Sequence, residues 1–107
     1  MVKVTPNFEL VVSSDISVFE RLNKLVSEKK LSSIVYVFHE VIGKNHYHIL
    51  IRFKRPYVRS TVESMLLHDV QPISDYESYY RYLSKDSTPT KVEFKFGQKV
   101  EKVEKFI

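Results

Sequence analysis

The chain of 107 residues contains no cysteine. That excludes disulfide staples and thiolate metal sites, so any metal must be held by histidine, carboxylate and water. It also agrees with an intracellular protein. Glycine and proline are scarce, at two and four residues, while 43% of the chain is hydrophobic and 13% aromatic. This is the composition of a folded domain rather than a disordered segment. No apolar run is long enough for a membrane span or a signal peptide, and Lys3, Pro6, Asn7 and Glu9 interrupt the first ten residues, so no membrane is expected. A chain of this length supports one core, and residues 1–107 are read as a single domain without repeats or linkers. The net charge of +4 favours a polyanionic partner.

Phe8 to Val12 reads as a strand, with Ser13-Ser14-Asp15 starting a helix whose apolar positions are Phe19, Leu22, Leu25 and Val26. Leu31-Ser32-Ser33 is expected to break that helix. Ile34 to Val41 is a β-branched and aromatic run that turns at Ile42-Gly43-Lys44-Asn45 into a second strand beginning at His46, which makes a hairpin. Ser60-Thr61-Val62-Glu63 has capping-box spacing and opens a helix carrying Val62, Met65 and Leu66. Ser74-Asp75-Tyr76-Glu77 repeats the device and opens a helix to about Lys85. Between these helices, Val70 to Ile73 reads as a brief edge strand, because Pro72 removes a ladder donor. Val92, Phe94 and Phe96 alternate with charged residues as a last strand, and the tail from Lys99 to Ile107 fits helix or extended chain. The expected architecture is α+β and ferredoxin-like, a central, mainly antiparallel sheet of about five strands with helices over one face.

The segment Asn45-His46-Tyr47-His48-Ile49-Leu50-Ile51 puts two imidazoles one residue apart on an otherwise apolar strand. Alternation sends His46 and His48 to one face and Tyr47, Ile49, Ile51 and Phe53 to the other. Two neutral imidazoles side by side are half of a metal site; the plainer reading is a solvated polar face. A third ligand is expected from the paired strand. An odd hairpin loop brings Glu40 to the His face and an even one brings His39. Glu40 is the residue we assign, since His39 lies in step with Val35, Val37 and Val41, the candidate core stripe. One carboxylate with two imidazoles suits Mg²⁺ or Mn²⁺ in phosphate chemistry, and the same ligands could take Zn²⁺.

Tyr76, Tyr79, Tyr82 and Lys85 follow at three-residue steps, which makes neighbours in the series adjacent on a helix. Tyr76 and Tyr79 read as core, whereas Tyr82 has a lysine one turn away and is a candidate nucleophile. Arg52, Lys54, Arg55 and Arg59 crowd the exit of the His strand with Phe53 and Tyr57 interleaved, a candidate phosphate track, with Arg52 on the His face. Arg81 and Lys91 are lesser candidates.

Taken together, His46-Tyr47-His48 and Tyr82-Leu83-Ser84-Lys85-Asp86 resemble the nuclease domain of rolling-circle replication initiators (Rep proteins) of small DNA viruses and plasmids, in the His-hydrophobe-His endonuclease superfamily. The resemblance covers most of the chain in element order. It implies a divalent cation at His46, His48 and Glu40, and attack by Tyr82 on a phosphodiester of single-stranded origin DNA. The products are a 5′-phosphotyrosine and a free 3′-hydroxyl, with Lys85 positioning DNA or stabilising charge. It further implies an intracellular location in a host, and leaves both monomer and dimer open. Two departures stand out. Phe8-Glu9-Leu10-Val11 lacks the threonine of the family's Phe-Thr-Leu-like strand motif, and no helicase domain follows. The competing readings are a single-strand transposase of the same superfamily and a noncatalytic module that stacks single-stranded nucleic acid on its tyrosines.

Overall fold

Residues 3–13, 15–39, 46–83, 85 and 90–93 are described in a computed structural model of the chain. Strand β1 (Val4–Val12) buries Phe8, Leu10 and Val12 on one face by simple alternation. Asp15 then caps helix α1 (Ile16–Ser27), its side chain accepting from the Ser17 N–H, and Val18, Phe19, Leu22, Leu25 and Val26 form the buried stripe. The helix stops in the segment 28–30. The amides of Glu28, Lys29 and Lys30 bond back to the carbonyls of Lys24, Val26 and Leu25, and Lys29 takes a left-handed conformation with φ 63°. The expected break at Leu31-Ser32-Ser33 is therefore displaced, because those residues already belong to strand β2 (Leu31–His39).

Strand β3 (His46–Val58) is 13 residues long and runs through Pro56. It does so by a bulge: against β1 the register jumps from Asn7↔Arg52 to Thr5↔Tyr57, leaving residues 53–56 opposite Pro6 alone. Helix α2 (Arg59–Leu66) begins one residue ahead of the expected capping box. Its N-cap is Val58, with no side-chain bond, so Ser60 is already inside the helix. Glu63 instead accepts from Arg59 Nε at 3.3 Å and from the Val70 amide at 3.4 Å. Strand β4 (Gln71–Pro72) follows, then helix α3 (Tyr76–Leu83) and strand β5 (Thr90–Glu93). The α3 cap is Asp75, whose Oδ1 accepts from the Ser78 amide at 3.1 Å and whose Oδ2 accepts from Ser78 Oγ at 2.7 Å. The expected hairpin turn at 42–45, Phe94, Phe96 and the tail from 99 lie outside the described residues.

The molecule is an α+β fold built on an open antiparallel sheet with three helices. Its strands hydrogen-bond in the order β4-β1-β3-β2-β5. On one face, Phe8, Leu10, Ile34, Tyr36, Ile49 and Ile51 pack beneath α1 and α2. On the other, Val35, Val37 and Leu50 are fully buried beneath Ile73 and the α3 residues Tyr76 and Leu83. Helices thus cover both faces, where the sequence reading placed them over one. The reason lies in the third helix: Tyr76 and Leu83 need an apolar surface, and the open face of β2 and β3 supplies it. Among the described residues no helix is long and apolar enough to cross a membrane.

Candidate functional site

Strand β3 holds His46 and His48 on the α3 face, at the end opposite its bulge. Their Nε2 atoms are 3.2 Å apart, with ring centroids 4.9 Å apart and planes at 71°. His48 Nδ1 lies 3.2 Å from Glu9 Oε2. Glu9 comes from β1, where Val11 is the residue paired with His48 and Glu9 stands two positions along on the same face. A carboxylate only accepts, so Nδ1 of His48 carries the proton and its Nε2 presents a lone pair toward His46. The Tyr79 hydroxyl from α3 also donates to Glu9 Oε2. Glu9 is 7% exposed, and a buried carboxylate is tolerable only with such donors.

Two imidazole nitrogens sharing one cation at about 2.1 Å each stand about 3 Å apart when they subtend a right angle, and slightly more when the angle opens. The His46–His48 spacing of 3.2 Å is close to that value, and it is equally the length of an N–H···N hydrogen bond between the two rings. Glu9 is on the far side of the His48 ring, so it orients the ligand rather than joining it, as carboxylates behind metal-binding histidines do. Among the described residues, no group of three His, Cys, Asp or Glu side chains converges on one point. The donor set present thus fits a cation through two imidazoles, with the remaining positions left for water, phosphate oxygen or a further carboxylate. The sequence reading assigned that further carboxylate to Glu40, which lies outside the described residues. The strand register pairs His39 with His46 and Val37 with His48, the even-loop case of the hairpin.

Along α3 the tyrosines grade from buried to exposed: Tyr76 at 4%, Tyr79 half-buried, Tyr82 at 64%. The Tyr79 and Tyr82 rings are 6.1 Å apart, and Lys85 Nζ lies 5.9 Å from the centre of the Tyr82 ring. Tyr82, Tyr79 and Glu9 line one cleft of about 400 Å³ together with Gln71, Pro72, Ile73, Ser74, Asp75 and Ser78. The nucleophile candidate and the carboxylate behind His48 thus face a common space.

Arg52 shares the His face by register, yet Leu50 between it and His48 is fully buried under α3. Its Nε donates to Asn7 Oδ1 at 2.9 Å, and its guanidinium stacks 4.2 Å from the Tyr76 ring. A continuous phosphate track from the His pair to Arg52 is therefore interrupted, because α3 occupies the strand face between them. Lys54, Arg55 and Arg59 are exposed at the bulged end, six or more residues along the chain from His48 and beyond Arg52. Arg55 Nε donates to the Tyr57 hydroxyl at 3.1 Å, and Arg59 pairs with Glu63.

Glu9 is the residue of this candidate site that sequence reasoning missed. The available signal was a lone carboxylate inside the apolar run Phe8-Glu9-Leu10-Val11-Val12, which interior strands rarely carry without a partner. Comparison with known proteins found no matching family, no matching curated protein and no matching solved structure.

Proposed function

We propose that this chain is a rolling-circle initiator type of nuclease domain, a metal-dependent nicking enzyme and strand transferase on single-stranded DNA with Tyr82 as nucleophile. The observation that carries the reading is the 3.2 Å convergence of the two His Nε2 atoms, backed by Glu9, which borders a cleft that Tyr82 also lines. His46 and His48 would hold Mg²⁺ or Mn²⁺; the even register puts position 39 rather than Glu40 on their face, which favours His39, water or a phosphate oxygen over Glu40 as the further ligand. When bound, such a cation would supply Lewis-acid polarisation of the scissile phosphate. Tyr82 Oη gives its proton to solvent and attacks phosphorus, the P–O3′ bond breaks, and the departing oxygen takes a proton to become the 3′-hydroxyl. The 5′-phosphate remains on Tyr82 as a diester. Lys85, against the Tyr82 ring, stabilises charge that builds on the phosphate oxygens. The ferredoxin-like plan belongs to the same proposal. Its support is the succession β1-α1-β2-β3-α2-β4 in the strand order β4-β1-β3-β2, with α1 and α2 over one face.

The test is incubation with Mn²⁺ and single-stranded origin-like oligonucleotides, followed by a search for an SDS-stable adduct and peptide mapping of its attachment. An adduct on Tyr82 that is lost in Tyr82→Phe, with Mn²⁺ affinity retained, is the expected result. Attachment to Tyr79 would transfer the role to the hydroxyl on Glu9. No adduct with any such oligonucleotide would leave the noncatalytic binding module as the better reading.

A further inference from the structure

The cleft between β4 and the start of α3 has a chemistry that the nicking reaction does not use. Its walls are the Tyr79 and Tyr82 rings, tilted 54° to each other, with Pro72 and Ile73. Its polar groups are the carboxylates of Glu9 and Asp75, the amide of Gln71 and the hydroxyls of Ser74 and Ser78, and among the described residues no lysine or arginine lines it. The two carboxylates disfavour a phosphate inside the cleft itself, which leaves the scissile phosphate at its rim, on the side of Tyr82 and Lys85. Aromatic walls and acceptor oxygens instead suit a neutral ring that stacks and offers N–H donors. The volume of about 400 Å³ falls in the range of small-molecule sites and has room for one nucleoside.

The position is built rather than incidental. Gln71 is paired with Glu9 and Pro72 with Phe8 across the β1–β4 ladder. The Ile73 amide donates to the Asn7 carbonyl at 3.0 Å, and Thr5 Oγ1 donates to the Ile73 carbonyl at 3.4 Å. Gln71 is exposed at the rim. The Asp75 carboxylate is held by Ser78, and each of its oxygens retains a further lone pair.

We propose that this cleft takes one unstacked nucleobase of the bound single strand, stacked on Tyr79 or Tyr82, and selects bases carrying an exocyclic amino group. Adenine, cytosine and guanine each present an amino donor to Gln71 and Asp75; thymine has no amino group, and its single N3–H donor lies between two carbonyls that the carboxylates repel. The inference rests on the single-stranded DNA reading, and it adds a base preference at the nucleotide lying beside the nucleophile.

Binding measured in EDTA, where no metal-dependent nicking occurs, separates the two ideas. A short oligothymidylate is compared with the same oligomer carrying one adenine, one cytosine or one abasic site. In the wild-type protein a single adenine or cytosine is expected to tighten binding about tenfold over thymine, in line with one well-stacked and hydrogen-bonded base. The double variant Gln71→Ala with Asp75→Asn is expected to lose that gain and to bind oligothymidylate no more weakly than the wild type, since one repelling carboxylate is gone; asparagine remains a helix cap, and thermal melting checks the fold. Equal binding of all the oligomers, or a gain that survives the double variant, overturns the base pocket even where the covalent adduct forms. A base-dependent gain without any adduct retains the pocket and removes the nuclease. Failure to bind any of the oligomers overturns both.

Discussion

His48 can offer a cation only one of its ring nitrogens, and Glu9 decides which. With Nδ1–H committed to a carboxylate, Nε2 is left as the donor atom, aimed at the neighbouring imidazole. Replacing His46 or His48 by alanine is therefore expected to abolish Mn²⁺ binding with little loss of fold, since both side chains are only half-buried at the strand end. Glu9→Ala should weaken Mn²⁺ about 10- to 100-fold in calorimetric titration, with Glu9→Gln in between because its amide oxygen still accepts from Nδ1. An unchanged affinity in Glu9→Ala would detach Glu9 from the site. Arg52→Ala removes the bond to Asn7 and the stacking on Tyr76, and is expected to lower stability by about 1–2 kcal/mol in urea unfolding. Its effect on DNA is read separately. A lost phosphate contact flattens the salt dependence of single-strand binding by about 0.7 in slope, whereas a purely structural role leaves the slope alone.

Helix α3 is the element on which the site depends, and eight residues cannot hold a helix in water unaided. Its anchors are Tyr76 and Leu83 on the sheet and Asp75 at its start. Leu83→Ala is expected to cost about 2–4 kcal/mol and to loosen the Tyr79–Glu9 contact at the same time, visible as faster amide exchange across residues 76–83. The cap makes the helix acid-sensitive. Hydrogen bonds from the Ser78 side chain and amide hold the Asp75 carboxyl below its ordinary value of 3.8. A depressed folded-state value means that the contribution is present above that ordinary value and is lost as pH falls through the folded one. Protection of the α3 amides, taken relative to their intrinsic exchange rate at each pH, should fall below about pH 4, and Asp75→Asn should lack the carboxylate's share of that dependence.

On the scale of the whole molecule, the net charge of +4 and the exposed Lys54, Arg55 and Arg59 at the bulged end of β3 supply attraction to a polyanion away from the His pair. Changing Lys54 and Arg55 together to alanine is expected to weaken single-stranded DNA binding at low salt and reduce the salt slope by about 1.4, two contacts at about 0.7 each, with Mn²⁺ affinity unchanged. A variant with the wild-type salt slope would take these residues off the DNA path. The chain itself made part of this arrangement readable. Period-two alternation is a local property, so it sent His46 and His48 to one face and Tyr47, Ile49, Ile51 and Phe53 to the other without reference to any neighbour. Helical spacing likewise placed Phe19, Leu22, Leu25 and Val26 in the core. What tertiary structure alone decided were the cross-strand partner and the cover of the second face. Glu9 reaches His48 only through the β1–β3 register, set by pairing across nearly forty residues of sequence. Leu50 is buried and Arg52 diverted only because α3 crosses there. Neither outcome is written in a short window of residues, since each depends on which distant apolar surfaces find one another when the single core closes.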